Sequence, residues 1–213
     1  MSKRTWLILP DGRILPPIAG ATSTPVYDQD AFRGRNDDGS ETTATWIAAA
    51  NTNWTQDIDL GASFRVRFVI QETKGVAPGA QTLILMRSYK GGAYTQVTTT
   101  SAVIQVVTSA NFVDGADCTQ QVGAGTFETD NNGMDEDATI SVASTWGASE
   151  EVEVEFMLQI VAADVVNSDT IALRVYRSGP TALNTYTNTP TITVKEIVLY
   201  SGGTMMALMG VGH

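Results

Sequence analysis

Apolar and polar side chains alternate along much of this chain with a period of two, the spacing of a strand that buries one face. The clearest run covers 64–71, where Phe64, Val66, Phe68 and Ile70 share one side and Arg65, Arg67 and Gln71 the other. A second covers 151–160, with Val152, Val154, Phe156, Leu158 and Ile160 on one side and Glu151, Glu153 and Glu155 on the other. Both charged sides read as solvated faces. Their opposite signs predict cross-strand pairing of Arg65 and Arg67 with Glu153 and Glu155. Further strand patterns fall at 31–35, 43–47, 82–89, 94–98, 102–107, 117–122, 139–142, 170–177 and 191–200. Between two of them, Lys90-Gly91-Gly92-Ala93 signals a hairpin, because glycine supplies the positive φ that tight turns need. At 43–53 the helix-forming Ala44, Ala48, Ala49 and Ala50 compete with a strand and loop, and at most a short turn of helix is expected.

No amphipathic helical stretches are interleaved with these strands, which disfavours a parallel α/β sheet. The pattern predicts an all-β, antiparallel β-sandwich spanning 27–200, in jelly-roll or immunoglobulin-like order. An extended arm is expected at each end. In the first, 1–26, Pro10, Pro16, Pro17 and Pro25 exclude helix and interior sheet positions. The second, 201–213, is uncharged, apolar and punctuated by glycine. Trp6, Leu7, Ile8 and Leu9 in one arm and Met205, Met206, Leu208 and Met209 in the other are the candidate partner-binding residues. These apolar side chains need a surface, either a neighbour's or the chain's own core, and methionine adapts well to irregular ones.

Composition narrows the function more than the fold. With 213 residues, 43% hydrophobic and 17% charged, the chain is sized for one large β domain with a sizeable core. Its formal charge is −10, and its longest basic run is Lys3-Arg4, so direct nucleic-acid binding is not expected. Cys118 is the one cysteine, which rules out an internal disulfide. The apolar run Trp6-Leu7-Ile8-Leu9 is too short for a secretory signal, and no stretch reaches membrane-spanning length.

Candidate chemistry is sparse. The single histidine is His213, which nearly excludes Ser-His-Asp and Cys-His catalysis, and neither a nucleophile elbow nor a phosphate-binding loop is present. Glu151, Glu153 and Glu155, or Asp135, Glu136 and Asp137, are the available carboxylates for a glycosidase-like pair, yet alternate glutamates on a strand read first as a solvated face. No catalytic residues and no cofactor are assigned. Calcium is weighed at two acidic loops, 36–41 with Asp37, Asp38 and Glu41, and 130–137 with Asp130, Asp135, Glu136 and Asp137. Plain Asx turns are preferred at both, since neither completes the EF-hand spacing. Trp6, Trp46, Trp54, Trp146, Tyr89 and Tyr94 are the rings available for stacking on a sugar.

The run Ala31-Phe32-Arg33-Gly34-Arg35-Asn36-Asp37-Asp38-Gly39-Ser40-Glu41-Thr42-Thr43-Ala44-Thr45-Trp46, followed by Asn51-Thr52-Asn53 and Phe64-Arg65-Val66-Arg67-Phe68, resembles a module of tailed-phage virion structural proteins. The likeness continues through Asp114-Gly115-Ala116, Gly123-Ala124-Gly125-Thr126-Phe127, Glu151-Val152-Glu153, Asp169-Thr170-Ile171 and Thr185-Tyr186-Thr187-Asn188-Thr189-Pro190. It implies a non-enzymatic structural or adhesive β protein. One sandwich with two apolar arms is similar to capsid decoration or cement proteins. That similarity implies a homotrimer on the capsid surface of a virion, made in the host cytoplasm, with the major capsid protein and other virion proteins as partners. The alternative is an adhesive or carbohydrate-binding module of a tail or head fibre.

Overall fold

The computed structural model describes residues 7–8, 10, 14–15, 23–58, 62–111, 113–129, 133–138, 140–142 and 146–196. In chain order its strands are β1 (Leu7–Ile8), β2 (Ile14–Leu15), β3 (Tyr27–Asn36), β4 (Trp54–Asp57), β5 (Ser63–Glu72), β6 (Gln81–Tyr89), β7 (Thr95–Gln96) and β8 (Ile104–Val106). They continue as β9 (Thr126–Phe127), β10 (Met134–Asp135), β11 (Ile140–Val142), β12 (Glu150–Ile160), β13 (Thr170–Arg177), β14 (Thr181–Ala182) and β15 (Thr191–Lys195). A 3-10 turn, Ala162–Asp164, separates β12 from β13.

Two sheets pack face to face. The first has the order β10-β12-β5-β3, and the second β11-β6-β13-β15-β4. The long central pairs, β12 with β5, β5 with β3 and β6 with β13, are antiparallel. Short pairs at the margins are parallel: β4 with β15, and β9 and β10 with β12. One edge of β12 is therefore tiled in turn by β9, β10 and β8. This covers a row of backbone groups that would otherwise template another strand. Leu7 and Ile8 pair with Leu15 and Ile14 in a separate two-stranded sheet.

The apolar sides of the alternating strands meet as expected. Phe64, Val66, Phe68 and Ile70 of β5 and Val152, Val154, Phe156 and Leu158 of β12 face Leu83 and Leu85 of β6, Ile171, Leu173 and Val175 of β13, and Ile192 and Val194 of β15 in one core. Phe68 and Phe156 meet edge to face at 6.0 Å. Trp54 and Trp146 are buried in the same core. Gly34 sits where a Cβ would lie 3.0 Å from the Trp54 ring, so glycine lets β3 pass that ring without displacing it.

Several sequence expectations are corrected. The segment 43–53 forms neither helix nor strand: Ser40 to Ala44 closes a turn, and Trp46 makes an isolated bridge to Arg35. Its alanine propensity loses to specific anchors, since Arg33 Nε donates to the Ala48 carbonyl and Arg35 Nε to that of Ala44. The stretch 117–122 is not a strand, because its backbone amides bond to side chains of β12 instead. The run 94–98 shortens to Thr95–Gln96, while the hairpin at Lys90-Gly91-Gly92-Ala93 forms, with Gly91 at φ 74°.

Glu72, at the end of β5, ties three segments together. Its carboxylate accepts the backbone N–H groups of Val26, Lys74, Gly75, Val76 and Ser149 at 2.7 to 3.2 Å. Burial by itself would raise this carboxyl, but the amides of Ser149, Lys74, Val26 and Val76 outweigh it and hold the group at about 2, against an ordinary 4.5. A depressed folded-state value contributes stability that is complete above the ordinary pKa and is lost as pH falls toward the folded one. The unfolding midpoint in urea is therefore expected to drop between pH 4.5 and pH 2, and Glu72→Gln to flatten that part of the profile. Equal acid sensitivity in Glu72→Gln and the parent would show that the carboxylate contributes nothing there.

Candidate functional site

The outer side of the first sheet carries Arg35 on β3, Arg65 and Arg67 on β5, and Glu153 and Glu155 on β12. All five are buried. The predicted cross-strand pairs form, but the reading of these sides as solvated faces is overturned. Arg67 Nη1 lies 3.0 Å from Glu153, its Nε pairs with Glu155, and its Nη2 lies 2.6 Å from Glu41. Arg65 pairs with Asp37 at 2.6 Å and Glu155 at 3.6 Å, and Arg35 with Glu155 at 3.5 Å. Two segments without regular structure, 37–48 and 113–125, lie over the face and supply its remaining partners.

Backbone donors complete the balance of charge. Glu153 Oε1 accepts the successive N–H groups of Gln121, Val122 and Gly123 at 2.7 to 2.9 Å. Glu41 accepts from the Thr119 amide and the Gln121 side chain as well as from Arg67. Beside these charges, Cys118, Met134 and Met157 form a second small apolar cluster. Burial pushes the Cys118 thiol well above its ordinary value, so it stays a protonated apolar filler. At Gly123 a Cβ would fall 2.1 Å from the Glu151 carboxylate, so a side chain here would displace that carboxylate.

The loop at 36–41 is thereby disqualified for calcium. Asp37 and Glu41 accept arginine, and Asp38 accepts the backbone N–H and hydroxyl of Thr45 in a local turn. In the second acidic loop, Asp130 lies outside the described residues. Asp135 and Asp137 converge with Asp114, their carboxylate oxygens within 4.8 Å of one another. Among the described residues, these three could hold a divalent cation. Asp135 also caps its own turn through the amides of Asp137 and Ala138, and three such ligands fall short of the six to eight oxygens calcium takes.

The candidate sugar-stacking rings separate into distinct fates. Trp54 and Trp146 are in the core, and Trp6 lies outside the described residues. Trp46 is covered by Arg33 and Arg35, whose guanidinium carbons lie 4.3 and 4.5 Å from its ring centre. The Tyr89 hydroxyl donates to Asp169, which also pairs with Lys90. Tyr94 remains on the surface, half-exposed, in a cluster with Tyr176, Tyr186 and Arg174 that the chain pattern did not single out. Ring centres of Tyr94 and Tyr176 are 6.0 Å apart, and those of Tyr176 and Tyr186 5.9 Å. The Arg174 guanidinium lies 4.9 Å from the Tyr94 ring centre and 4.2 Å from that of Tyr186. Burial pushes the Tyr186 phenol up to about 12 and raises that of Tyr94, so both stay neutral donors.

Of the candidate partner-binding residues, Leu7 and Ile8 fall in β1. Trp6, Leu9, Met205, Met206, Leu208 and Met209 lie outside the described residues, as does His213. Among the described residues no helix is long and apolar enough to cross a membrane.

Removing one partner of a buried ion pair strands the other charge, at a cost of about 3–5 kcal/mol. Arg67→Met is expected to lower the unfolding free energy by that order in chemical denaturation. Lys195→Met, which breaks an exposed pair with Asp57, is expected to change it by less than about 1 kcal/mol. Similar losses in the two variants would mean that the buried network is no more than a surface ion pair in energetic terms.

No family model matches the chain, and no curated protein matches it. Among solved structures, a non-cellulosomal cohesin from the hyperthermophilic archaeon Archaeoglobus fulgidus is similar over 81% of this chain and 91% of its own, at 13% identity and a TM-score of 0.27. At that score nothing is transferred from it to this protein.

Proposed function

We propose that this chain is a non-enzymatic structural protein of a tailed-phage virion, a capsid decoration or cement protein. In this reading it sits as a homotrimer on the shell and docks through its terminal segments on the major capsid protein and other virion proteins. The observation that carries the reading is where the body's charge goes. Glu153 and Glu155, the carboxylates a two-acid hydrolase would draw on, are buried acceptors for Arg35, Arg65 and Arg67 and for the amides of the cover segment. That arrangement builds a stiff body with its irregular segments bonded down, which suits a protein whose work is to hold position. The sequence resemblance supplies the virion context, and the apolar residues of the two ends supply the docking elements. Short arms add buried area and multivalent attachment to a body of this size.

Deleting 204–213 is expected to weaken co-sedimentation with virus particles at least tenfold while the thermal unfolding of the body is unchanged. Full attachment by the truncated chain would sink the role assigned to Met205, Met206, Leu208 and Met209.

A further inference from the structure

We propose that Arg174, with Tyr94, Tyr176 and Tyr186, forms a binding subsite for an acidic sugar on the outer face of the second sheet. The inference goes beyond the docking reading and does not depend on it. On β13, Leu173 and Val175 face the core, so Arg174 and Tyr176 share the outer side. Directly opposite them on β6 stand Met86 and Ile84, which are buried although they too face outward. The outer side of these two strands thus carries buried apolar side chains next to the ring cluster.

Two loops complete the cluster. The turn between β6 and β7 brings Tyr94, and the segment after β14 brings Tyr186. The Tyr186 hydroxyl is fixed from both sides: it accepts the Leu183 N–H at 2.9 Å and donates to the Val175 carbonyl at 3.2 Å. The Arg174 guanidinium is held between the Tyr94 and Tyr186 rings, and its Nε donates to the Thr189 hydroxyl at 3.3 Å. Among the described residues, no carboxylate pairs with it and its Nη groups have no hydrogen-bond partner. Arg35, Arg65 and Arg67 are paired with acids, whereas Arg174, like Arg33, Arg87 and Arg177, has no acid partner among the described residues; what distinguishes Arg174 is its place between two surface rings. A planar guanidinium pinned between rings presents a rigid fork, and the complement of such a fork is a carboxylate.

The surroundings favour a sugar acid over an acidic peptide. The hydroxyls of Tyr94 and Tyr176 also lack partners among the described residues, and β7 contributes the exposed Gln96, which lies opposite Met86 on the same outer side. This rim is uncharged and rich in hydroxyl and amide groups, as a polyhydroxylated ligand requires. Protein-binding hot spots instead centre on desolvated apolar anchors. The large apolar side chains exposed among the described residues, Val113 and Val166, belong to other loops.

The test is a glycan array of oligosaccharides containing uronic or sialic acids, set beside their neutral counterparts and a glutamate-rich peptide, probed with the full chain. Binding to acidic glycans is expected, at least tenfold stronger than to the neutral counterparts. Arg174→Met and Tyr94→Ala are each expected to weaken it at least tenfold, and Arg174→Lys, which keeps the charge without the fork, to restore only part. Arg174→Met keeps the stem between the rings, and an unchanged melting temperature with an unchanged near-ultraviolet tyrosine spectrum verifies that the face is intact. No binding to any acidic glycan, equal binding of the neutral set, binding indifferent to Arg174→Met, or preference for the peptide would each overturn the proposal.

Discussion

Three guanidinium groups lie side by side on the outer face of a β-sheet, fully removed from water, and the arrangement of this protein follows from what such groups require. An unpaired buried cation is among the costliest things a fold can contain. Arg35, Arg65 and Arg67 are therefore each satisfied by acids, two from the neighbouring strand and two from the segment that follows β3. The carboxylates in turn need donors, and Glu153 finds them in three successive backbone amides. A long irregular segment is thus held down by electrostatics and hydrogen bonds more than by apolar packing, with Cys118, Met134 and Met157 filling the gap that remains.

This division of labour makes the two sheets unlike each other. The first is closed on its outer side, and the exposed edge of its longest strand is tiled by three short ones. On the outer side of the second, among the described residues, one arginine and three tyrosines cluster at the surface. A stiff body with one sealed face and one chemically articulate face is consistent with a protein that acts by holding and contacting. Arrangement of charge, rather than a reactive group, then carries the function proposed for it.

Much of the core was legible in the sequence because period-two alternation reports directly on which residues share a side. The alternation of 64–71 and 151–160 named both the apolar core contacts and the partners of Arg65 and Arg67. It could not tell what covers the other side, since the covering segments contribute through single residues such as Asp37, Glu41 and Gly123 and not through a periodic face. The strand pattern at 43–47 misled because two arginine side chains and a stacked tryptophan hold this segment as a turn and loop. The strand pattern at 117–122 misled because its amides are needed by Glu153. Trp54, named as a candidate sugar ring, is core, and Gly34 shows how closely it is packed. Arg174 and Tyr176 were visible as alternating residues of one strand, but Tyr186 joins them only through a loop whose course the local sequence does not encode.

Amide hydrogen exchange at Gln121, Val122 and Gly123 tests the central claim most directly, because these residues lie in a segment with no regular structure. Bonded to a buried carboxylate that is itself locked by Arg67, they should exchange on the timescale of the β12 amides, orders of magnitude slower than an open loop. Exchange at the rate of an unprotected loop, with β12 still protected, would contradict the account, since the cover would then rest on the sheet without being held by its charges.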